Sequence, residues 1–131
     1  YDYYAHHPTE IKYVLEGVNK VYKDYDKVCI FQPHRISRLK DLKKEFSFAF
    51  KDADTVILCP IYTAGEKIKL GFNYLKFAKE IIKNSKVKLF LVNDNYQLAR
   101  FIKKNMVGKK IVIGMGAGSI SNWMRKIPEL I

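Results

Sequence analysis

The sequence holds no apolar run near the roughly 18 residues that span a bilayer. It also lacks the basic n-region, apolar h-region and cleavage site of a secretory leader. Cysteine is scarce: only Cys29 and Cys59 occur, each inside an apolar run. Both read as reduced core thiols of a cytosolic protein. Cys and His are not clustered at ligand spacing, so no metal site is expected. No G-x-x-x-x-G-K-[ST] stretch exists, which leaves this piece without a phosphate-gripping ATP loop of its own. No local pattern suggests a Ser/His/Asp or Cys/His nucleophile set. Acidic residues are few, 13 against 24 Lys and Arg, for a net charge of +11. Such an excess fits nucleic acid, an anionic membrane face or phosphorylated small molecules. The lysines, however, are spread along helical segments (Lys40, Lys43, Lys44; Lys76, Lys79, Lys83; Lys103, Lys104). Solvated helix faces explain most of that charge. Without a recognition helix, a stacking motif or an RNA-binding signature, neither nucleic acid nor a membrane is the expected partner.

What is present suits one domain. A chain of 131 residues can bury roughly 65–70% of its unfolded surface, enough for a core without staples. Its apolar share of 48% argues against disorder. The chain starts at Tyr1 rather than methionine, and residues 1–131 read as a soluble fragment of a longer protein.

Strand-like and helix-like segments alternate. After Pro8, apolar residues fall at Ile11, Val14, Leu15, Val18 and Val21, the helical rhythm. Proline suits a first helical position because its missing N–H would be unpaired there. Lys27 to Phe31 reads as a buried strand ended by Gln32-Pro33. Leu39, Leu42, Phe46, Ala49 and Phe50 mark a second helix. Thr55 to Leu58 is another buried run, stopped by Pro60. Tyr74, Leu75, Ala78, Ile81 and Ile82 form a third helical stripe. Lys88 to Val92 is a strand, and Leu98, Ala99, Ile102 and Met106 mark a fourth helix. Lys110 to Ile113 is a strand leading into Gly114-Met115-Gly116-Ala117-Gly118-Ser119, with a last helix over Ser119 to Glu129. Short, continuously apolar strands between helices imply a mostly parallel sheet covered on both faces. Ligands of such sheets bind beyond the carboxyl ends of the strands, which singles out Gln32 to Arg38 and Gly114 to Ser119.

In the first of these stretches, His34, Arg35 and Arg38 leave a buried strand at its carboxyl end. If a helix begins there, Arg35 and Arg38 are three apart and share a face. Two guanidinium forks on one face clamp a carboxylate or phosphate well. Arginine in a first turn otherwise works against the helix dipole. The glycines of the second stretch let backbone approach a ligand, and Ser119 can cap a helix, but a tight turn explains the same residues. His6 and His7, before Pro8, suit capping, packing or catalysis.

Four blocks occur in order: Asp2-x-Tyr4-Ala5-His6-His7-Pro8-Thr9-Glu10, Phe31-Gln32-Pro33-His34-Arg35-x-Ser37-Arg38, Ala64-Gly65-Glu66 and Gly116-Ala117-Gly118-Ser119. Together they resemble the carboxy-terminal domain of the Mur ligases of peptidoglycan synthesis, in particular those that join L-alanine to UDP-N-acetylmuramate. The first two blocks are specific; the last two only support them. The resemblance spans the chain and implies a three-layer Rossmann-like domain, its mostly parallel sheet of about six strands including one antiparallel strand. It implies an amino-terminal domain for the UDP-sugar and a central one for ATP and Mg2+, both absent from this chain. In the implied reaction, ATP converts the UDP-N-acetylmuramate carboxylate to an acyl phosphate, the L-alanine amine attacks, and phosphate leaves. By position, Arg35 and Arg38 would bind the carboxylate of alanine or of the product. Tyr4 and His6 would stand near the reacting end, with His34 and Ser119 beside the same pocket. No metal ligand is implied in this domain.

Two positions depart from the pattern. The family begins Asp-Asp-Tyr, and Tyr3 stands where the second aspartate would contact the ATP ribose. A phenol does not accept two ribose hydroxyls as a carboxylate does: either Asp2 substitutes on the nucleotide side, or ATP affinity is lower, or the position is peculiar to this chain. Ile36 replaces a residue that is usually aromatic. Two alternatives remain open to the sequence: a related recycling ligase that attaches a tripeptide, and a basic α/β module that binds nucleic acid.

Overall fold

The computed structural model describes residues 2–3, 7–33, 42–60, 74–105, 108–116 and 120–130; at 2–3, 74, 121 and 127–130 it describes backbone alone. Among these residues five strands are present: β1 (Asp2–Tyr3), β2 (Asp26–Gln32), β3 (Thr55–Leu58), β4 (Lys88–Leu91) and β5 (Lys110–Gly116). The helices are α1 (Pro8–Val21), α2 (Lys43–Phe48), α3 (Tyr74–Ser85), α4 (Asn95–Asn105) and α5 (Ile120–Leu130). The strands form one sheet in the order β1-β5-β2-β3-β4, and all four neighbouring pairs are parallel.

The expected three-layer α/β architecture is present. The expectation of about six strands, one of them antiparallel, is not met among the described residues, where five strands are all parallel. The physical reason is the connectivity. Every described strand is joined to the next through a helix, which returns the chain to the same starting edge; among the described residues no hairpin reverses it.

Strand alternation sorts the core into two layers. Cys29, Phe31, Val56, Leu58, Ile111, Ile113 and Met115 face one side, where they pack with Ile11, Leu15 and Val18 of α1, Phe46 of α2, and Phe77, Ala78 and Ile81 of α3. Val28, Ile30 and Ile57 face the other, with Leu98 and Ile102 of α4 and Ile120 of α5. Continuous apolar strands are therefore buried on both faces, as parallel strands require. Phe31 anchors the first layer, its ring centroid 5.6 Å from Phe46 and 5.3 Å from Phe50. Each such buried side chain contributes about 1.5–3 kcal/mol over an exposed one.

Three helical expectations are refined. Val21 ends α1 exposed, since the stripe has rotated out of the core by the last residue. In α3, Leu75 is 60% exposed and Ile82 43% exposed, whereas Phe77 is buried. The stripe therefore runs through 77, 78 and 81, because the bulkier Phe77 takes the core-facing position. In the second helix Ala49 and Phe50 are buried as expected, but in a turn beyond α2. Leu39 and Met106 lie outside the described residues.

Side chains tie two helices of the same layer together. Ser85 Oγ donates to Ser47 O at 2.5 Å and accepts from Phe50 N–H at 3.3 Å. Asn84 Nδ2 donates to Ser47 Oγ at 2.8 Å. These bonds tie α3 to α2 with their polar atoms satisfied inside the packing.

Candidate functional site at the carboxyl edge of the sheet

All strand ends point the same way, so the segments following β1, β2, β3 and β5 leave from one edge. The last rows across the sheet are explicit. Tyr3 pairs with Met115, Met115 with Phe31, and Phe31 with Leu58. One step further, Gln32 pairs with Gly116.

Between β2 and β5 the path divides. The chain leaving β2 goes on to α2, on the face that holds α1 and α3. The chain leaving β5 goes on to α5, on the opposite face. Adjacent parallel strands whose connections depart to opposite faces leave a crevice between their carboxyl ends, the usual ligand position in open α/β sheets. Gln32 and Gly116 are its floor.

The glycines here have packing roles that composition alone did not assign. The structure extends β5 through Gly116, so Gly114, Met115 and Gly116 belong to the strand rather than to the loop expected there. Gly116 has φ +151°, and a β-carbon on it would stand 2.8 Å from the Gln32 carbonyl oxygen and 2.9 Å from Ile120 Cγ2. A β-carbon on Gly114 would meet Met124 Cγ at 2.6 Å. These glycines admit close approach of β5 to β2 and to α5.

His7 settles as a cap. Its Nδ1 accepts the Thr9 N–H at 3.3 Å, and its own N–H donates to Glu10 Oε1 at 3.1 Å. With Pro8 following, this reciprocal arrangement satisfies the helix start. Of the expected site residues, Asp2 lies in β1, its backbone paired with Gly114. Tyr4, His6, His34, Arg35, Arg38 and Ser119, together with the Ala64-Gly65-Glu66 block, lie outside the described residues. What the structure brings together is the set of strand ends that precede or adjoin them in the chain: Tyr3, Gln32 and Gly116. A feature given no role by sequence reading is the buried Gln32 side chain, whose Nε2 donates to Pro60 O at 3.3 Å. A polar residue closing an apolar strand was its visible signal.

The thiols do not belong to the chemistry. Neither forms a disulfide, and both are buried. Burial pushes Cys59 up to about 12. Cys29 is raised further, by burial first and by Cys59 second. Neither supplies a thiolate near neutral pH. Among the described residues, no group of three or more His, Cys, Asp or Glu could hold a metal ion. None of the described helices is long and apolar enough to cross a membrane.

A parallel, helix-flanked sheet with a crevice at its switch point defines a Rossmann-like α/β ligand-binding domain. More specifically, residues 1–118 match the family described as Mur ligase, glutamate ligase domain, and the chain belongs to that family. It is 73% identical over its full length to the UDP-N-acetylmuramate--L-alanine ligase of Pelagibacter ubique, covering 28% of that relative. The crystal structure of the UDP-N-acetylmuramate-alanine ligase of Thermotoga maritima superposes with a TM-score of 0.72 at 25% identity, over 96% of this chain and 25% of that one. The murein peptide ligase of Psychrobacter arcticus gives a TM-score of 0.73 over 97% of this chain and 26% of that one. At 15% identity, that second likeness shows the fold alone. The chain thus spans about a quarter of the length of the relatives it matches.

Proposed function

We propose that residues 1–131 form the carboxy-terminal domain of an ATP-dependent ligase that joins L-alanine to UDP-N-acetylmuramate in the cytoplasm. The carrying observation is the 73% identity, end to end, with a relative bearing that name. The crevice between β2 and β5 supports it, because the Gln32-Pro33-His34-Arg35 block begins at its floor. In this reading the domain closes over the site and holds the amino acid. Arg35 and Arg38 grip its carboxylate, with His34 and Ser119 beside them. Tyr4 and His6 stand at the reacting end, and Asp2 is the nucleotide-side candidate. Two guanidinium forks on a desolvated carboxylate are worth a few kcal/mol, roughly 1.5–3 per charged hydrogen bond.

ATP and Mg2+ are held mainly by other parts of the longer protein, since this chain carries no phosphate loop. ATP supplies activation: a bare carboxylate is a poor electrophile, and phosphorylation gives it a leaving group. The residues of this domain contribute orientation of the incoming amine and charge stabilisation.

The test is an assay of phosphate release by the full-length protein with UDP-N-acetylmuramate, ATP and a series of amines. L-Alanine as the preferred acceptor is the expected result. Preference for a tripeptide would move the chain to the recycling ligases. Tight, steeply salt-dependent oligonucleotide binding would favour a nucleic-acid module instead.

A further inference from the structure

Gln32 ends β2 directly after the apolar residues Val28, Cys29, Ile30 and Phe31, and it is only 3% exposed. A buried amide is costly unless bonded, and an apolar side chain would fill the space more cheaply. Its bond is informative. The backbone ladder between β2 and β3 runs out at Cys59, whose N–H donates to Phe31 O at 2.9 Å. Gln32 Nε2, reaching Pro60 O at 3.3 Å, carries that connection one step past the last backbone rung. On its other flank Gln32 pairs with Gly116, which has no side chain to hold the two backbones apart. One residue therefore fixes three strand ends at the switch point.

We propose that Gln32 is a positioning residue for the acceptor amino acid. By tying the end of β2 to Pro60, it sets where the chain leaves toward Arg35 and Arg38, relative to the segments that follow β3 and β5. It touches no reacting atom and acts through the clamp, so the inference rests on the ligase reading above. Misplacing an oriented group by about 1 Å is enough to cost up to 100-fold.

The experiment uses the full-length protein and two variants. Gln32→Met keeps length and bulk but removes the donor. It is expected to raise KM for the acceptor about tenfold while leaving KM for ATP within about twofold. Gln32→Glu adds a pH signature. A protonated carboxyl donates to Pro60 O and an ionised one cannot, so its acceptor KM, as a ratio to wild type, falls toward one as pH is lowered. A wild-type acceptor KM in Gln32→Met overturns the proposal, as does an equal rise in both KM values. If Gln32→Met does not fold, a pH-independent ratio in Gln32→Glu overturns it. Should the wild-type enzyme prefer another amine to L-alanine, only the substrate assignment falls. The same comparison made with that amine still decides the role of Gln32.

Discussion

Gly114 lies under Met124 so closely that a β-carbon on it would stand 2.6 Å from Met124 Cγ and 2.8 Å from Sδ. Strand β5 and helix α5 therefore touch backbone to side chain. We expect Gly114→Ala to destabilise the chain by about 1–3 kcal/mol, the usual range for overpacking. Met124→Ala frees that space, so the double variant should lose less than the sum of the two singles. Denaturant midpoints of the four proteins check this, and strict additivity would contradict it.

At the amino ends of β2 and β3, Asp54 Oδ2 accepts the Lys27 N–H at 2.7 Å and lies 3.9 Å from Lys27 Nζ. Lys27 is buried, while the Asp54 side chain is 52% exposed, so the ion pair itself is worth little. The hydrogen bond to a buried N–H matters more. Asp54→Ala should cost about 1–3 kcal/mol by leaving that donor unsatisfied. Asp54→Asn keeps an acceptor and should cost less; thermal unfolding of both variants ranks them.

The raised thiol of Cys59, at about 12 against 9.0, makes a signed pH prediction. Below pH 9 both folded and unfolded states hold the proton, and its stabilising contribution is complete. Above pH 9 the unfolded chain releases the proton first, so stability falls until the folded thiol ionises near 12. At pH 10 the loss is roughly 1.4 kcal/mol for this thiol. Cys59→Ala should be less sensitive between pH 8 and pH 10 than wild type, read from urea midpoints. In native protein at pH 8, neither cysteine should react with an aromatic disulfide reagent without denaturant.

The proposed arginine clamp makes a kinetic prediction for the longer protein. Arg38→Ala should raise KM for L-alanine about tenfold or more, with KM for ATP little changed. Steady-state kinetics with each substrate varied in turn separates the cases. A raised KM for ATP alone would move Arg38 to the nucleotide. The isolated 131-residue chain should fold, by circular dichroism, yet show no ATP-dependent alanine addition.

Strands β2, β3 and most of β5 were legible because buried parallel strands are continuous apolar runs between turn residues; β4 was legible by its apolar run although Phe90 and Leu91 are exposed. β1 was not: Asp2–Tyr3 is two residues long and becomes a strand only through Gly114 and Met115. The end of β5 was hidden for a related reason, since glycines resemble a loop until their neighbours are known. In the α3 stripe Ala78 and Ile81 are buried as read, but Leu75 and Ile82 were included and Phe77 missed because all are comparably apolar. At the site, the carboxyl edge of the sheet followed from the parallel strands alone, since ligands of such sheets bind beyond their carboxyl ends. The bond from Gln32 to Pro60 could not, because it joins segments brought together only by the pairing of β2 with β3.

The position of β1 has a mechanical consequence. This two-residue edge strand, near the start of the chain, is held by β5, built from residues 110–116. Tension applied through the preceding polypeptide would load the β1–β5 rungs in shear before it reached any helix. Those rungs end at Met115, one residue before the Gly116 that floors the crevice, so a pull from outside the domain arrives first beside the place where the ligand would sit.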